Sequence, residues 1–553
     1  YYKSNFADGA SYDFIIVGGG SAGCVLANRL SEEKQFSVLL IEAGGDPPFE
    51  SMLPGLTGLQ PQTPQDWNYI ASFDENRKIF QNDRQAPLPQ GKMLGGTYSL
   101  GNMFYVRGNP KDFQTWADVV GDQSWNYENV LPYFKKSEHL DDLDILNSKY
   151  KNFHGTSGYL HVTREHHKEV DKYLEMFKEL GHNINLDANG NETLGYNEGS
   201  FTLSKSGITQ NTAFSFLRPA IHRPNLHVLK HTLVTKILFD KHNNAIGVEA
   251  LIHSNTTISI YAEREVIVTA GAINSAKLLL LSGIGPVAHL QSMGIEIISN
   301  LPVGENLQDH PTSIGAYTFG SSHKAPKSPN YFQFGLPYIA GYAAFDKAQK
   351  QPNYQSESLV VSNNPKGPFL FCYLVFSLDF DLCQAFYEAA KDTEMLFVTV
   401  NLLHQKSRGL IQLKSNDPTD SPLIFLNHFS DESDLDTLAE SWEDYNKITN
   451  SSYFQSVCGK FVDLRLPKCQ GLAMGSREYW RCYILSTKAS CYQFSGACSM
   501  GGVLDARLRV HGVRRLRVAD SSAIPSTTSG HINAPVIMLA EKAADLIKED
   551  NIY

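Results

Sequence analysis

Long apolar runs are missing from this chain. Stretches such as residues 369–376 and 278–281 fall far short of the roughly 20 residues that a membrane-spanning helix needs, so no membrane segment is expected. An excess of positive charge is missing too. The 48 Lys and Arg against 58 Asp and Glu leave a net charge of −10 over 553 residues. That mild balance excludes the basic footprint by which proteins hold nucleic acid or anionic lipid. Internal repeats and low-complexity linkers are also lacking. With 42% hydrophobic and 19% charged residues, the composition is that of a folded globular protein. A chain of this length suggests about two to four compact units.

Cysteine is sparse, but its placement is informative. Five of the eight lie between Cys458 and Cys498, and three glycosylation acceptor patterns begin at Asn191, Asn255 and Asn450. The two signals together predict a secreted glycoprotein with local disulfides. The start at Tyr1, without methionine or a charged-then-apolar leader, is what a processed mature chain or a trimmed one would show.

What is present begins with a strand–turn–helix–strand pattern. Residues 13–17 read as a buried strand, 21–30 as a helix and 37–41 as the next strand. Gly18, Gly20 and Gly23 punctuate the turn, and Ser21 and Ala22 open the helix. The first glycine permits a tight turn, the second lets backbone approach a pyrophosphate, and the third lets the helix sit close to the sheet. Glu42, followed by Ala43, closes the second strand 19 residues after Gly23. A carboxylate there can accept hydrogen bonds from a ribose diol. This order points to an adenine dinucleotide and leaves NAD and FAD both open. At the far end, Pro535 opens a helix whose Val536, Ala540, Ala543 and Ile547 share one face. Both chain ends are therefore expected in one α/β layer, with an aromatic, strand-rich middle as a second lobe.

Further motifs decide between the two dinucleotides. Residues 89–96 read Pro-Gln-Gly-Lys-Met-Leu-Gly-Gly and continue through Leu100, Met103, Tyr105, Arg107 and Gly108. Residues 271–276 and 282–285, 301–310, 406–409, 516–522 and 533–535 follow in order. This set resembles the glucose–methanol–choline (GMC) oxidoreductase family along nearly the whole chain. Tyr479-Trp480-Arg481-Cys482 gives it the look of insect glucose dehydrogenase-like and salicyl alcohol oxidase-like members. The resemblance implies FAD as cofactor and a mixed α/β and α+β fold. A Rossmann-like FAD domain of residues 12–150, 226–312 and 506–553 would carry an inserted substrate domain of residues 151–225 and 313–505, built on an antiparallel sheet over the flavin. It also implies that Gly95, Gly96, Thr97, Asn102 and Met103 lie along the flavin and that the Val234 backbone meets adenine. Asp520, Ile532 and Asn533 would return beneath the flavin. Cys469 and Cys482 match paired cysteines of insect relatives, and Cys491 with Cys498 is a second candidate pair.

Family members move hydride from an alcohol carbon to the flavin while a base removes the hydroxyl proton, so a small alcohol, aromatic or terpenoid in character, and oxygen or another electron acceptor are the implied partners. Two residues usually flank the reacting carbon. His531 matches the second. At the first, where a histidine is usual, residues 493–498 read Gln-Phe-Ser-Gly-Ala-Cys and place Gln493. An amide can hydrogen-bond but accepts no proton at useful pH. Tyr98, Gly101, Thr209 and Ala276 are further departures. Three readings follow: an alcohol-oxidising enzyme with His531 as sole base and Gln493 orienting the alcohol, a paralogue that keeps the fold and loses turnover as a binding or storage protein, or a flavin-scaffolded lyase. No metal site is expected. His161, His166 and His167 are read as surface histidines, His310 as a structural hydrogen-bonding residue, and Cys24 as a small buried residue.

Overall fold

The computed structural model describes residues 8–56, 60–72, 86–101, 103–253, 255–322 and 330–552. The uninterrupted apolar run Phe14–Ile15–Ile16 is fully buried, as a strand covered on both faces must be. That strand, Ser11–Val17, pairs in parallel with Val38–Ile41 on one side and Thr256–Val268 on the other. Leu226–Leu229 continues the parallel sheet beyond Val38–Ile41, and Leu516–Val518 adds to Thr256–Val268. Two antiparallel strands, Ala245–Ile252 and Thr232–Phe239, complete seven.

The helices Ser21–Ser31 and Asn533–Ile552 pack together against this sheet. Arg29 clamps Glu541 through two hydrogen bonds of 2.8 Å in the buried seam. Val536, Ala540, Ala543 and Ile547 are buried. The first and last segments of the chain do share one α/β layer.

A second, antiparallel sheet of seven strands is centred on Pro311–Ser321, Thr393–Leu402, Tyr354–Ser362 and Tyr338–Ala343. Alternation along these strands separates two faces. Tyr354 and Ser358 point to the helix Glu432–Tyr445, where the Tyr354 hydroxyl donates to Asp444 at 2.8 Å and Ser358 meets the Tyr445 hydroxyl at 2.9 Å. Tyr338, Tyr342, Gln355, Glu357, Thr399 and Asn401 occupy the other face, because Gln355 is in register with Tyr342 and Asn401, and Glu357 with Thr399.

Each sheet has its own core. Leu26, Val268, Leu279 and Leu539 lie in the first, and Ile314, Val398, Leu438 and Trp442 in the second. The middle of the chain feeds both: Val162, Phe216 and Phe494 pack with the first core, Phe177, Tyr196 and Phe201 with the second.

The expected Cys469–Cys482 disulfide is present. The Cys491–Cys498 candidate is not: both are free thiols. The Cys498 backbone is hydrogen-bonded to Ser522 and the Cys491 backbone to His310, so the fold holds the two in different surroundings. A bridge that sequence reasoning missed, Cys372–Cys383, links the helical turn Phe371–Val375 to the helix Phe380–Ala389.

Candidate functional site

A cleft runs from the glycine turn to the segments around Gln493 and Asn533. Its wall includes Gly18, Gly20, Ser21, Ala22, Glu42, Ala43, Gly96, Thr97, Val234, Asp520, Ile532 and Asn533, together with Gln493. Segments more than 500 residues apart in sequence thus meet in one surface.

The local geometry follows from the residues. Gly18 has φ +105°, and a Cβ there would stand 2.6 Å from the Thr269 carbonyl oxygen. Gly23 lies behind the wall, where a Cβ would come within 1.9 Å of the Gly18 oxygen. The turn therefore brings the N-terminus of the helix Ser21–Ser31, which has no side-chain cap, to the cleft. Free N–H groups and the helix dipole make such an end a receptor for a phosphate. Ser21 Oγ donates to Asn533 Oδ1 at 2.6 Å and ties the two chain ends at that point. The Asn533 amide nitrogen is buried without a hydrogen-bond partner in the protein, a donor that a ligand in the cleft would satisfy.

Glu42 is buried, with one oxygen accepting from Gly19 N and the other from Gly44 N, each at 2.8 Å. Burial raises its carboxyl above the usual range, while the backbone hydrogen bonds oppose that shift. Each oxygen keeps a lone pair for a ribose hydroxyl. Asp520 accepts from Gly271 N at 2.7 Å and Ser275 Oγ at 2.6 Å on one oxygen, and from Ser522 on the other. It secures the C-terminal segment to the helix Gly271–Leu281. The uncapped helix end, the orphan Asn533 donor and the Glu42 carboxylate fit an adenine dinucleotide.

Two of the expected contact residues stand back from the cleft wall. Met103 is buried in the core of the second sheet and is not part of the cleft wall. Gly95 is set back as well: a Cβ there would strike Ser99 Oγ at 2.2 Å, and its N–H donates to the Gly19 carbonyl at 2.7 Å. A Cβ on Gly96 would stand 2.8 Å from Gly20 Cα. The crowding that demands this glycine pair already exists between protein segments. Asn102 lies outside the described residues.

Gln493 and His531 are brought together. The Ile532 N–H donates to Gln493 Oε1 at 2.9 Å, which turns the amide nitrogen toward His531 Nδ1 at 2.9 Å and the Cys491 carbonyl at 3.0 Å. His531 Nδ1 must then be the acceptor, and the ring proton sits on Nε2, 2.8 Å from Glu357 Oε1. Phe104 stacks on the imidazole with centroids 4.7 Å apart. Gln493 forms the cleft wall, and His531 lies behind it among Gln493, Glu357 and Phe104.

Glu357 was not singled out by sequence reasoning. Tyr338 donates to it at 2.8 Å and Asn401 at 2.9 Å. Burial works to raise its carboxyl, but the electrostatic attraction of the neighbouring His531 ring and the hydrogen bonds from His531, Asn401 and Tyr338 bring it down to about 2. The available signal was an acid within a strand-like run, Tyr-Gln-Ser-Glu-Ser-Leu-Val-Val. His310, expected to be a structural hydrogen-bonding residue, bonds the Leu402 and Thr528 carbonyls at 2.9 and 3.0 Å, and Cys24 is buried. His404 Nε2 meets Ser529 Oγ at 3.1 Å.

Comparison with known proteins agrees with this geometry. GMC oxidoreductase profiles match residues 12–312 and 405–540. The chain is 36% identical to ecdysone oxidase of Spodoptera littoralis, over 99% of this chain and 93% of that protein. It is 35% identical to glucose dehydrogenase [FAD, quinone] of Drosophila melanogaster, over 97% and 87% respectively. The fold superposes on formate oxidase with a TM-score of 0.85 at 24% identity, covering 99% of this chain and all of that one. On sequence, fold and the layout of its cleft, this chain belongs to the GMC oxidoreductase family.

Proposed function

We propose that this protein oxidises a small alcohol to the aldehyde or ketone, with His531 as base and Gln493 as the residue that orients the alcohol. The family is one of FAD oxidoreductases that act on CH–OH groups, and FAD, when bound, accepts the hydride. Gly18, Gly20, Ser21, Ala22, Glu42 and Ala43 would hold its adenine and phosphate half, with Val234 against the adenine. Gly96, Thr97, Asp520, Ile532 and Asn533 would line its flavin half.

The single observation that carries the reading is the Gln493–His531–Glu357 chain of hydrogen bonds at the cleft wall. Nδ1 of His531 is the basic lone pair. To accept the alcohol proton, it exchanges the Gln493 amide hydrogen for the substrate hydroxyl. Gln493 remains in the wall and can hold the alcohol oxygen through the same amide. Glu357, ionised, balances the charge that His531 acquires, and the buried surroundings strengthen that attraction. Phe104 stacks on the imidazole, and Phe334 and Tyr338 pack around Phe104; these apolar surroundings favour an alcohol with an apolar or aromatic body.

A second reading has its own support. Both nitrogens of His531 are engaged by protein groups, and the residue facing the cleft is an amide. A paralogue that binds FAD and its ligand without turnover would look the same. Anaerobic mixing of the purified protein with a panel of alcohols, including an ecdysteroid, glucose and aromatic primary alcohols, separates the two. Bleaching of the flavin absorption supports the oxidase or dehydrogenase reading. A yellow protein that no member of the panel bleaches supports the paralogue.

Secretion belongs to the same proposal. Asn191, Asn255 and Asn450 are all exposed, and two disulfides are formed.

A further inference from the structure

Away from the cleft, the short parallel strands Glu138–Leu140 and Leu160–Arg164 run in register, with His139 beside His161. Residue 141 follows 139 by two positions, so Asp141 returns to the same face. The three side chains converge there. His161 Nδ1 is 2.6 Å from Asp141 Oδ2, His139 Nε2 is 3.7 Å from Asp141 Oδ1, and the imidazole centroids are 4.4 Å apart. One ligand atom from each residue lies within 4.8 Å of the other two.

We propose that His139, Asp141 and His161 form a binding site for a divalent transition-metal ion of the zinc type. Two imidazoles and one carboxylate are the donor set such ions prefer, and they disfavour magnesium and calcium, which take oxygen ligands. The Asp141 carboxylate is 2% exposed, while the imidazoles are 35% and 37% exposed. The anion is thus held rigidly, and the two rings are free to turn onto an ion. His161 also lines an open pocket with Gln210, Arg218 and His222, which gives an ion a route in and leaves room for water as a fourth ligand. On binding, the metal takes His161 Nδ1 in place of the hydrogen that bridges it to Asp141, and the ring binds as the neutral imidazole with its one proton on Nε2. Lys205, whose Nζ stands 3.3 Å from Asp141 Oδ1 and whose side chain is 74% exposed, is the competing cation. It moves aside when the ion enters.

In the sequence His161 stands close to His166 and His167. The fold separates them: His166 pairs with Glu198 at 2.9 Å, while His139 and Asp141 come to His161 from another strand.

The test uses untagged, EDTA-dialysed protein with its flavin content measured. Calorimetric titration with ZnCl₂ should show one ion per chain, and Co²⁺ substitution should give visible d–d bands. His161→Asn and Asp141→Asn should each weaken Zn²⁺ binding by more than about tenfold, since even outer-sphere changes cost roughly 10- to 100-fold. Lys205→Ala should tighten it, and His166→Ala should leave it unchanged. Flavin content and Tm equal to wild type establish that the variants are folded. Absence of a stoichiometric Zn²⁺ site, or wild-type affinity in both His161→Asn and Asp141→Asn, overturns the proposal. Neither result depends on whether the protein oxidises alcohols.

Discussion

At the scale of single residues, the proposed chemistry turns on how one amide and one carboxylate surround one imidazole. Gln493 supplies a hydrogen bond where a second base would be of use, so replacing it restores proton-accepting capacity at the cleft wall. Gln493→His is expected to raise the rate of flavin reduction by alcohol, and His531→Ala to lower it by about 10²- to 10⁴-fold, the range for loss of a positioned base. Stopped-flow reduction under anaerobic conditions measures both. No change in either variant means that neither residue acts on the alcohol. Glu357 makes a separate prediction. Its folded carboxyl is lowered from 4.5 to about 2. A lowered carboxyl contributes stability that is present above the unfolded value and is lost as pH falls toward the folded one. The Tm advantage of wild type over Glu357→Gln should therefore be full at neutral pH. It should shrink between pH 4.5 and about 2. A difference that stays constant across that window contradicts the assignment.

At the scale of elements, the glycine turn and the stapled helices each make a claim. The first helix can sit against its strand only because Gly23 has no side chain. Gly23→Ala would force a methyl to within 1.9 Å of the Gly18 oxygen, and overpacking of that kind costs about 1–3 kcal/mol or more. The expected result is a lower Tm together with a reduced flavin-to-protein absorbance ratio, because the displaced helix end is also the proposed phosphate receptor. The Cys372–Cys383 bridge closes a short segment between two helices, 11 residues apart. Closing a loop of this size stabilises by about 3 kcal/mol in the chain-entropy account. The double variant Cys372→Ser with Cys383→Ser should unfold earlier by that amount in denaturant titration. Equal midpoints would show that the bridge adds nothing to stability.

At the scale of the whole molecule, buried charges lock distant segments together. Arg107 donates to Glu138 at 2.8 Å with both side chains fully buried, and His154 joins Glu138 to Asp187 at 3.1 and 3.0 Å. Breaking a buried pair by removing one charge typically costs about 3–5 kcal/mol. Glu138→Gln should lower Tm by several degrees, while the exposed pair Lys149–Glu192 can be cut with little effect. Calorimetry of the two variants side by side tests the contrast.

The parts that were legible in the sequence are those written in short, ordered segments. The strand–turn–helix at the N-terminus, the acid at residue 42, the amphipathic C-terminal helix and the Cys469–Cys482 bridge all depend on neighbours in the chain or on motifs of fixed spacing. Local sterics and hydrophobic periodicity act over a few residues, so a linear reading captures them. The departure at Gln493 was visible for the same reason, as one changed letter in a motif.

Only the tertiary structure decided what stands around those letters. Glu357 reaches His531 because a strand 174 positions away presents alternate residues to one face, and no local signal sets that register. Cys372 was bridged to Cys383 and Cys491 left free by the packing of helices and loops, since cysteine spacing alone permits many pairings. His139 and Asp141 meet His161 through a parallel pairing of strands. Long-range contact is fixed by the mutual burial of whole elements, and that is a property of the folded chain, whereas turns, caps and periodic faces are properties of the sequence itself.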